Sequence, residues 1–215
     1  MNTRVLLLAV CALAAVPAAA AHTGGPKGFE SVVLGLTPAT KGISVSMLGG
    51  DDQMLLRNES GKELLIKGYE NEPYLRFSSD GVYQNDRSPA VYLNADRFAN
   101  AQPPPHASAK APPQWQKILP GAAFKWHDHR AHWMSPIPPP TVQDAPDRRH
   151  HVFDWKIAAE LDGKPLTIRG TLDYVPPPSD GGGPRWWLLA VLLSLAAIGA
   201  IGAVVLYRRQ PRSGT

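Results

Sequence analysis

The strongest constraint on the fold is a stretch around residue 160, where apolar and polar residues alternate on both sides of an Asp-Gly pair. Asp162-Gly163 is typical of a two-residue hairpin loop, because that turn needs positive φ at both central residues. The loop fixes four cross-strand pairs, which are Leu161 with Lys164, Ala159 with Leu166, Ile157 with Ile168, and Trp155 with Gly170. The apolar residues then share one face, and Trp155 covers the glycine opposite it. The sequence therefore predicts a long antiparallel hairpin with one buried face.

Shorter segments upstream also have the pattern of strands. Apolar residues take every second position over 43–47, which is the period of a half-buried strand. The segments 62–68 and 73–77 are apolar runs bounded by turn residues, so we predict two further strands there.

A proline-rich loop over about 99–120 separates these segments from the hairpin. Residues 101–140 hold 10 of the 22 prolines, which excludes a continuous helix from this part of the chain. Short strands, turn signals and the lack of an amphipathic helix together predict a mainly β domain over residues 22–175. We expect a single immunoglobulin-like β-sandwich, with a small open barrel as the alternative.

Two apolar segments predict export and membrane anchorage. Residues 1–21 have Arg4 before a short apolar run and small residues at the end, the pattern of a cleaved signal peptide; an uncleaved anchor is the alternative. Residues 186–207 carry no charge, are long enough to cross a bilayer and have aromatic residues at both ends. Residues 176–185 form a Pro/Gly stalk, and the arginines of the tail 208–215 predict that it is cytoplasmic. The β-rich domain is thus expected on the extracytoplasmic side of the cell membrane.

Charge and cysteine content exclude several classes of function. The chain has 22 Lys and Arg against 18 Asp and Glu, and the excess of basic residues lies in the predicted signal peptide and tail. The domain between them is balanced in charge, so it has no basic footprint for nucleic acid. Cys11, the only cysteine, lies in the predicted signal peptide, which excludes disulfides, thiolate metal sites and cysteine nucleophiles from the domain.

The segment with most chemical content is 126–134, which reads Trp-His-Asp-His-Arg-Ala-His-Trp-Met. On a strand, His127 and His129 would project from the same face, and a bend would bring His132 towards them. Imidazoles suit zinc and copper, and a thioether such as that of Met134 favours Cu(I). The segment therefore predicts a copper or zinc site formed by these four side chains.

The same residues also fit a structural interpretation, in which the histidines are hydrogen-bonded members of a buried network. Asp128 and Arg130 would pair with each other or with charged residues of the segment 68–76, which are Glu70, Glu72 and Arg76. In this alternative the histidines stabilise the fold without any metal.

His22 would become the mature N-terminus if cleavage follows Ala21, and its α-amino group and imidazole would then offer a further chelating pair. An outward β-domain that starts at a histidine and ends in one membrane helix resembles the layout of bacterial copper-binding proteins of the CopC and YcnI kinds. That resemblance implies copper binding in which His22 takes part.

A second resemblance rests on three strings of the domain. They are 68–76 (Gly-Tyr-Glu-Asn-Glu-Pro-Tyr-Leu-Arg), 85–90 (Asn-Asp-Arg-Ser-Pro-Ala) and 126–134. In these strings the chain resembles a group of exported, membrane-anchored actinobacterial proteins. The resemblance implies a shared fold and location, and it carries over no activity.

No pattern in the sequence indicates an enzyme. Ser88, Asp86 and the histidines have no nucleophile turn or oxyanion site around them, and a phosphate loop and a dinucleotide fingerprint are missing. We therefore predict a cell-envelope interaction or scaffolding module that binds an envelope protein partner. Copper or zinc binding through His127, His129 and His132, with His22, is the alternative.

Overall fold

Antiparallel β-sheet is the main regular structure of the folded domain. A computed structural model describes residues 28–98, 100–177 and 186–209, and in the last range it describes side chains only at 190–200 and 202. The predicted signal peptide, His22, most of the predicted stalk and the end of the predicted tail lie outside these residues. The strands are β1 (Phe29–Thr37), β2 (Ile43–Leu48), β3 (Gln53–Asn58), β4 (Leu64–Lys67), β5 (Pro73–Ser78), β6 (Gly81–Asn85), β7 (Trp115–Leu119), β8 (Ala123–Trp126), β9 (His150–Leu161) and β10 (Lys164–Tyr174).

The helices are short, apart from the last one. They are α1 (Pro89–Leu93), α2 (Pro140–Asp144), α3 (Trp186–Arg209) and a single 3-10 helix turn at His129–Ala131. Over the part of the chain searched, which is the described part, no helix has the length and apolar character needed to cross a membrane.

The described strands form two antiparallel sheets, so the mainly β prediction is confirmed. The larger sheet has seven strands in the order β1-β10-β9-β4-β5-β6-β7, and the smaller has three in the order β2-β3-β8. Buried side chains from both sheets belong to one core: Met54 and Leu56 of β3 join Ile157 of β9 and Ile168 of β10. The core therefore lies between the two sheets and holds them together.

The predicted hairpin is confirmed in turn and register. Asp162 has φ 53° and Gly163 has φ 72°, as this loop requires. The four predicted pairs are all present in the β9–β10 ladder, including Trp155 opposite Gly170. A Cβ added at Gly170 would lie 2.1 Å from the Trp155 ring and 2.3 Å from the carbonyl oxygen of Val32 on β1. Glycine is thus required where the indole and the neighbouring strand both approach the backbone.

The last part of the predicted proline-rich loop is a strand. Residues 115–119 contain no proline, and as β7 they pair with β6, with Trp115 opposite Asn85. The preceding loop is tied to the rest of the domain by hydrogen bonds such as that from the N–H of Ser108 to the carbonyl of Arg87 at 2.8 Å. The proline-rich segment is therefore attached to the loop that follows β6, and its last part forms the edge strand of the larger sheet.

Candidate metal centre

The three histidines follow the end of β8, in a turn that one buried carboxylate organises. Asp128 caps the 3-10 helix His129–Ala131 by accepting from the backbone N–H of Arg130 at 3.2 Å. Its carboxylate also accepts from the indole N–H of Trp126 at 2.9 Å and from two nitrogens of the Arg130 guanidinium at 2.8 Å each. Burial raises the pKa of Asp128, but the charge and hydrogen bonds of Arg130 outweigh it and leave that pKa below its usual range. The carboxylate is therefore ionised and fixes the turn.

The predicted pairing of Asp128 with Arg130 is thus present. Arg130 also contacts the predicted segment 68–76, but through the backbone, because its guanidinium donates to the Gly68 carbonyl at 3.3 Å. Two of the other predicted partners, Glu72 and Arg76, make different contacts. Glu72 accepts from the hydroxyl of Ser88 at 2.7 Å. The guanidinium of Arg76 lies over the rings of Tyr83 and Trp115, at 4.5 Å and 4.7 Å from their centroids.

The imidazoles of His127, His129 and His132 converge. The bend predicted to bring in His132 is present, but the strand predicted for His127 and His129 is not. β8 ends at Trp126, so His127 and His129 do not share the face of a strand; the 3-10 helix folds the chain back instead. One ring nitrogen from each histidine lies within 4.8 Å of the others. The Nε2 atoms of His127 and His132 are 2.7 Å apart. The side chain of His127 is 10 % exposed and His132 is 1 % exposed, so the cluster is largely shielded from solvent.

In each of these imidazoles, one ring nitrogen is hydrogen-bonded to a backbone carbonyl. Nδ1 of His127 lies 2.5 Å from the carbonyl oxygen of Asp52, and Nδ1 of His132 lies 2.9 Å from that of Trp133. Nε2 of His129 lies 2.8 Å from the carbonyl oxygen of Asp96. Metal-binding histidines commonly donate their outer ring N–H to such a carbonyl, which fixes both the tautomer and the ring orientation.

These hydrogen bonds decide which nitrogen of each ring carries the proton. A carbonyl oxygen only accepts, so the nitrogen facing it must be the N–H, and a neutral imidazole has one N–H. The other nitrogen, Nε2 of His127 and of His132 and Nδ1 of His129, then carries a lone pair. The contact between Nε2 of His127 and Nε2 of His132 therefore brings two lone pairs together, and a cation between them satisfies both.

The surroundings favour the neutral rings that a metal needs. Burial lowers the pKa of His127, against the opposing effect of its hydrogen bond to the Asp52 carbonyl, and the charge of Arg97 lowers that pKa further. Burial, followed by the repulsion that a protonated His127 would exert, lowers the pKa of His132 to about 3. Both rings are therefore neutral at neutral pH, which is the form in which imidazole ligates a metal.

Met134 and His22 were the other predicted ligands. Met134 lies at the surface, where it lines a depression with Phe98, Asn100 and Pro136. Among the described His, Cys, Asp and Glu side chains, the group of potential ligands has three members, and all of them are histidines. His22 lies outside that part of the chain.

Sequence reasoning missed the groups that aim the imidazoles. Asp52 and Asp96 contribute through their backbone carbonyls, which have no signature in the residue type. They stand 75 and 33 residues from the histidines that they accept from, so no local spacing points to them.

Comparison of the chain with family models, with curated proteins and with solved structures finds no match. The two resemblances drawn from the sequence stay predictions.

Proposed function

We propose that the protein binds one transition-metal ion, zinc or copper, through His127, His129 and His132. The observation that carries the proposal is the orientation of the three rings. Each is fixed by a backbone carbonyl, the free Nε2 atoms of His127 and His132 face each other at 2.7 Å, and one ring nitrogen of His129 lies within 4.8 Å of the ligand nitrogens of both. Neutral imidazoles are good ligands for Zn²⁺ and for copper, with bonds of about 2.0–2.1 Å for zinc.

The distances suit an ion after a small outward movement of the rings. In a tetrahedral zinc site two ligand nitrogens are about 3.3 Å apart, as follows from the bond length. Nε2 of His127 and Nε2 of His132 are 2.7 Å apart, so the metal would separate them slightly. All three nitrogens already fall within 4.8 Å of one another, which is compatible with binding to a single ion.

Three protein ligands leave a position for an exchangeable fourth one. Structural zinc sites have four protein ligands, whereas sites that act on a small molecule keep one position open. Among the described His, Cys, Asp and Glu side chains, the group has three members, all histidines. We infer that water, another small ligand or His22 takes the fourth position.

In the structural interpretation of the same cluster, the contact between His127 and His132 is a hydrogen bond and not part of a metal site. In that interpretation one proton is shared by the two Nε2 atoms and no metal is needed. Protonation would place a charge on a ring that burial keeps neutral. The two interpretations are separated by whether the wild-type protein binds metal stoichiometrically.

The test is a metal titration of the full chain, purified with a tag that contains no histidine. After treatment with a chelator, the protein is titrated with Zn²⁺ and, separately, with Cu²⁺, and bound metal is measured by elemental analysis. We expect one equivalent, lost in a variant with His127→Gln, His129→Gln and His132→Gln. The matched control is His150→Gln with His151→Gln, an adjacent pair at the start of β9, which should keep the equivalent. A wild type without stoichiometric metal, or a triple variant that retains it, contradicts the proposal.

The location and partners predicted from the sequence remain part of this proposal. A sandwich of immunoglobulin type, an extracytoplasmic position, a membrane anchor and an envelope protein partner are all predictions. What supports the first is the pairing of a seven-stranded and a three-stranded sheet around one core. The scaffolding role rests on the sequence, whereas metal binding rests on a specific geometry, and for that reason we favour metal binding.

A further inference from the structure

A buried ion pair lies just outside the three histidines. One guanidinium nitrogen of Arg97 donates to both carboxylate oxygens of Asp51, at 2.9 Å and 2.8 Å. The side chains are 9 % and 7 % exposed, so both charges are removed from water. A second nitrogen of Arg97 lies 3.5 Å from the carboxylate of Asp52. The pair stands between three loops: the β2–β3 turn, the segment after α1 and the segment after the 3-10 helix.

The pair is joined to all three carbonyls that hold the imidazoles. Asp51 directly precedes Asp52, whose carbonyl accepts from His127, and Arg97 directly follows Asp96, whose carbonyl accepts from His129. The third carbonyl belongs to Trp133, and the backbone N–H of that residue donates to the Asp51 carboxylate at 3.3 Å. One ion pair thus fastens three chain segments at the points where each supports a histidine.

The β2–β3 turn is itself fixed against β1, so the pair has a rigid base. Gly50 has φ 79°, and a Cβ there would lie 2.8 Å from the carbonyl oxygen of Phe29. The N–H of Ser31 donates to the Gly50 carbonyl at 3.1 Å. The ring of Phe29 stacks on that of Trp133, with 6.0 Å between the centroids.

Stability of the fold is a weak explanation for such a pair. Burying two charges costs much of what their attraction returns, and apolar replacements of buried pairs are often neutral. Nε of Arg97 is in addition buried without a hydrogen-bond partner among the residues described, which adds to that cost. The Asp51–Arg97 pair is better explained by the three backbone carbonyls that it orients.

We propose that Asp51 and Arg97 are positioning residues for the metal centre: they hold the three carbonyls that aim the imidazoles, and so set the affinity for the ion. This inference rests on the metal centre proposed above. Groups that orient metal ligands in this way typically change metal affinity about 10–100-fold when they are replaced.

The main test is the double variant Asp51→Asn/Arg97→Met in the full chain. Asparagine keeps an oxygen for the Trp133 N–H, methionine fills the space of the arginine stem, and the summed charge of the pair stays at zero. We expect zinc affinity to fall about 10–100-fold, with the protein still folded. The matched control is Asp80→Asn/Lys117→Met, which removes an exposed ion pair and should leave zinc affinity unchanged.

Cobalt(II) provides a readout that a merely structural role would not change. Its visible absorption reports the coordination geometry, so we expect the Co²⁺-loaded double variant to differ from the wild type in band positions and intensity. Arg97→Lys is the conservative second variant, and it decides the question if the double variant does not fold. Lysine keeps the charge but cannot reach Asp51 and Asp52 at the same time, so the zinc affinity of Arg97→Lys should fall below that of the wild type.

Three results would overturn the inference. If the wild type binds no metal, the proposed function fails and this inference fails with it. If the wild type binds metal and the folded double variant binds it equally tightly with the same Co²⁺ spectrum, only the role of Asp51 and Arg97 is wrong. If the double variant does not fold and Arg97→Lys binds zinc like the wild type, the positioning role is again wrong while the metal centre stands.

Discussion

The β9–β10 hairpin and the histidine turn, which is the segment 126–133, differ in what holds them in shape. In the hairpin, a two-residue loop and an alternating pattern set a ladder between neighbours in the sequence. In the histidine turn, a local carboxylate sets the backbone, but two of the three rings are oriented by carbonyls 33 and 75 residues away. Changes in the hairpin should therefore alter stability alone, whereas changes around the turn should alter stability and metal binding together.

The largest effect is expected for Asp128→Ala in the histidine turn. The change leaves the Arg130 guanidinium, whose side chain is 18 % exposed, and the indole N–H of Trp126 without their shared acceptor. Breaking a buried pair costs about 3–5 kcal/mol, and the partial exposure of Arg130 places this case near about 3 kcal/mol. Urea denaturation measures the loss, with the exposed Asp144→Ala as control. A loss as small as that of the control would show that the carboxylate does not organise the turn.

Zinc binding should stabilise the wild type by about as much as Asp128→Ala is expected to destabilise it. A ligand that binds only the native state adds about 2.7 kcal/mol at a free concentration 100 times its dissociation constant. Thermal melting with and without zinc measures this gain, and His127→Gln/His129→Gln should remove it because two of the three ligands are gone.

Thermal melting of the His127→Gln/His129→Gln variant without metal distinguishes a metal centre from a structural network. A ligand role predicts a modest loss of stability in the metal-free state, whereas a purely structural network predicts a large one. A large metal-free loss, combined with no zinc-dependent gain in the wild type, would favour the network over the metal centre.

In the hairpin, Gly170→Ala should cost about 2 kcal/mol, as overpacking of a full core does. The added methyl would meet the Trp155 ring at 2.1 Å and the Val32 carbonyl at 2.3 Å, and the second contact is to backbone. Arg169→Ala, on the exposed face of the same strand, is the control for chemical denaturation. Zinc affinity should be unchanged in both variants; a change in the glycine variant would mean that the two regions are coupled.

The smallest effect is expected at the hairpin loop. Gly163 has φ 72° and no atom within 4 Å of an added Cβ, so Gly163→Val adds backbone strain and no clash. A β-branched residue in this conformation costs about 1–2 kcal/mol. Gly163→Asn should cost less, since asparagine tolerates positive φ. Equal midpoints for the two variants in a denaturation experiment would contradict this account of the loop.

The same contrast explains which features of the fold could be predicted from the sequence alone. Asp162-Gly163 determines a register because pairing across a tight turn follows from local geometry. The segments 43–47 and 73–77 are strands as predicted, but their partners were not predictable. β4 lies between β9 and β5, for instance, and such long-range pairing is decided by the whole core.

For the candidate site, the residue types of the histidine segment predicted the cluster that the structure shows, but only part of its geometry. A bend before His132 is present, whereas the strand predicted for His127 and His129 ends at Trp126 and the Asp128 cap produces a 3-10 helix. Asp51 and Arg97 had no recognisable spacing relative to the histidines, because an ion pair between distant loops exists only in the folded chain.

The burial of His132 has a consequence for the timing of metal exchange. With 1 % of that residue exposed, a bound ion has no direct path to solvent along this ligand. Departure would require the turn to open locally, and because the Asp51–Arg97 pair joins it to two other loops, all three would have to move together. Residence time would then be governed by the free energy of that opening and not by bond strength at the ion alone. Such a centre would retain what it captured during folding long after the surrounding supply of metal had changed.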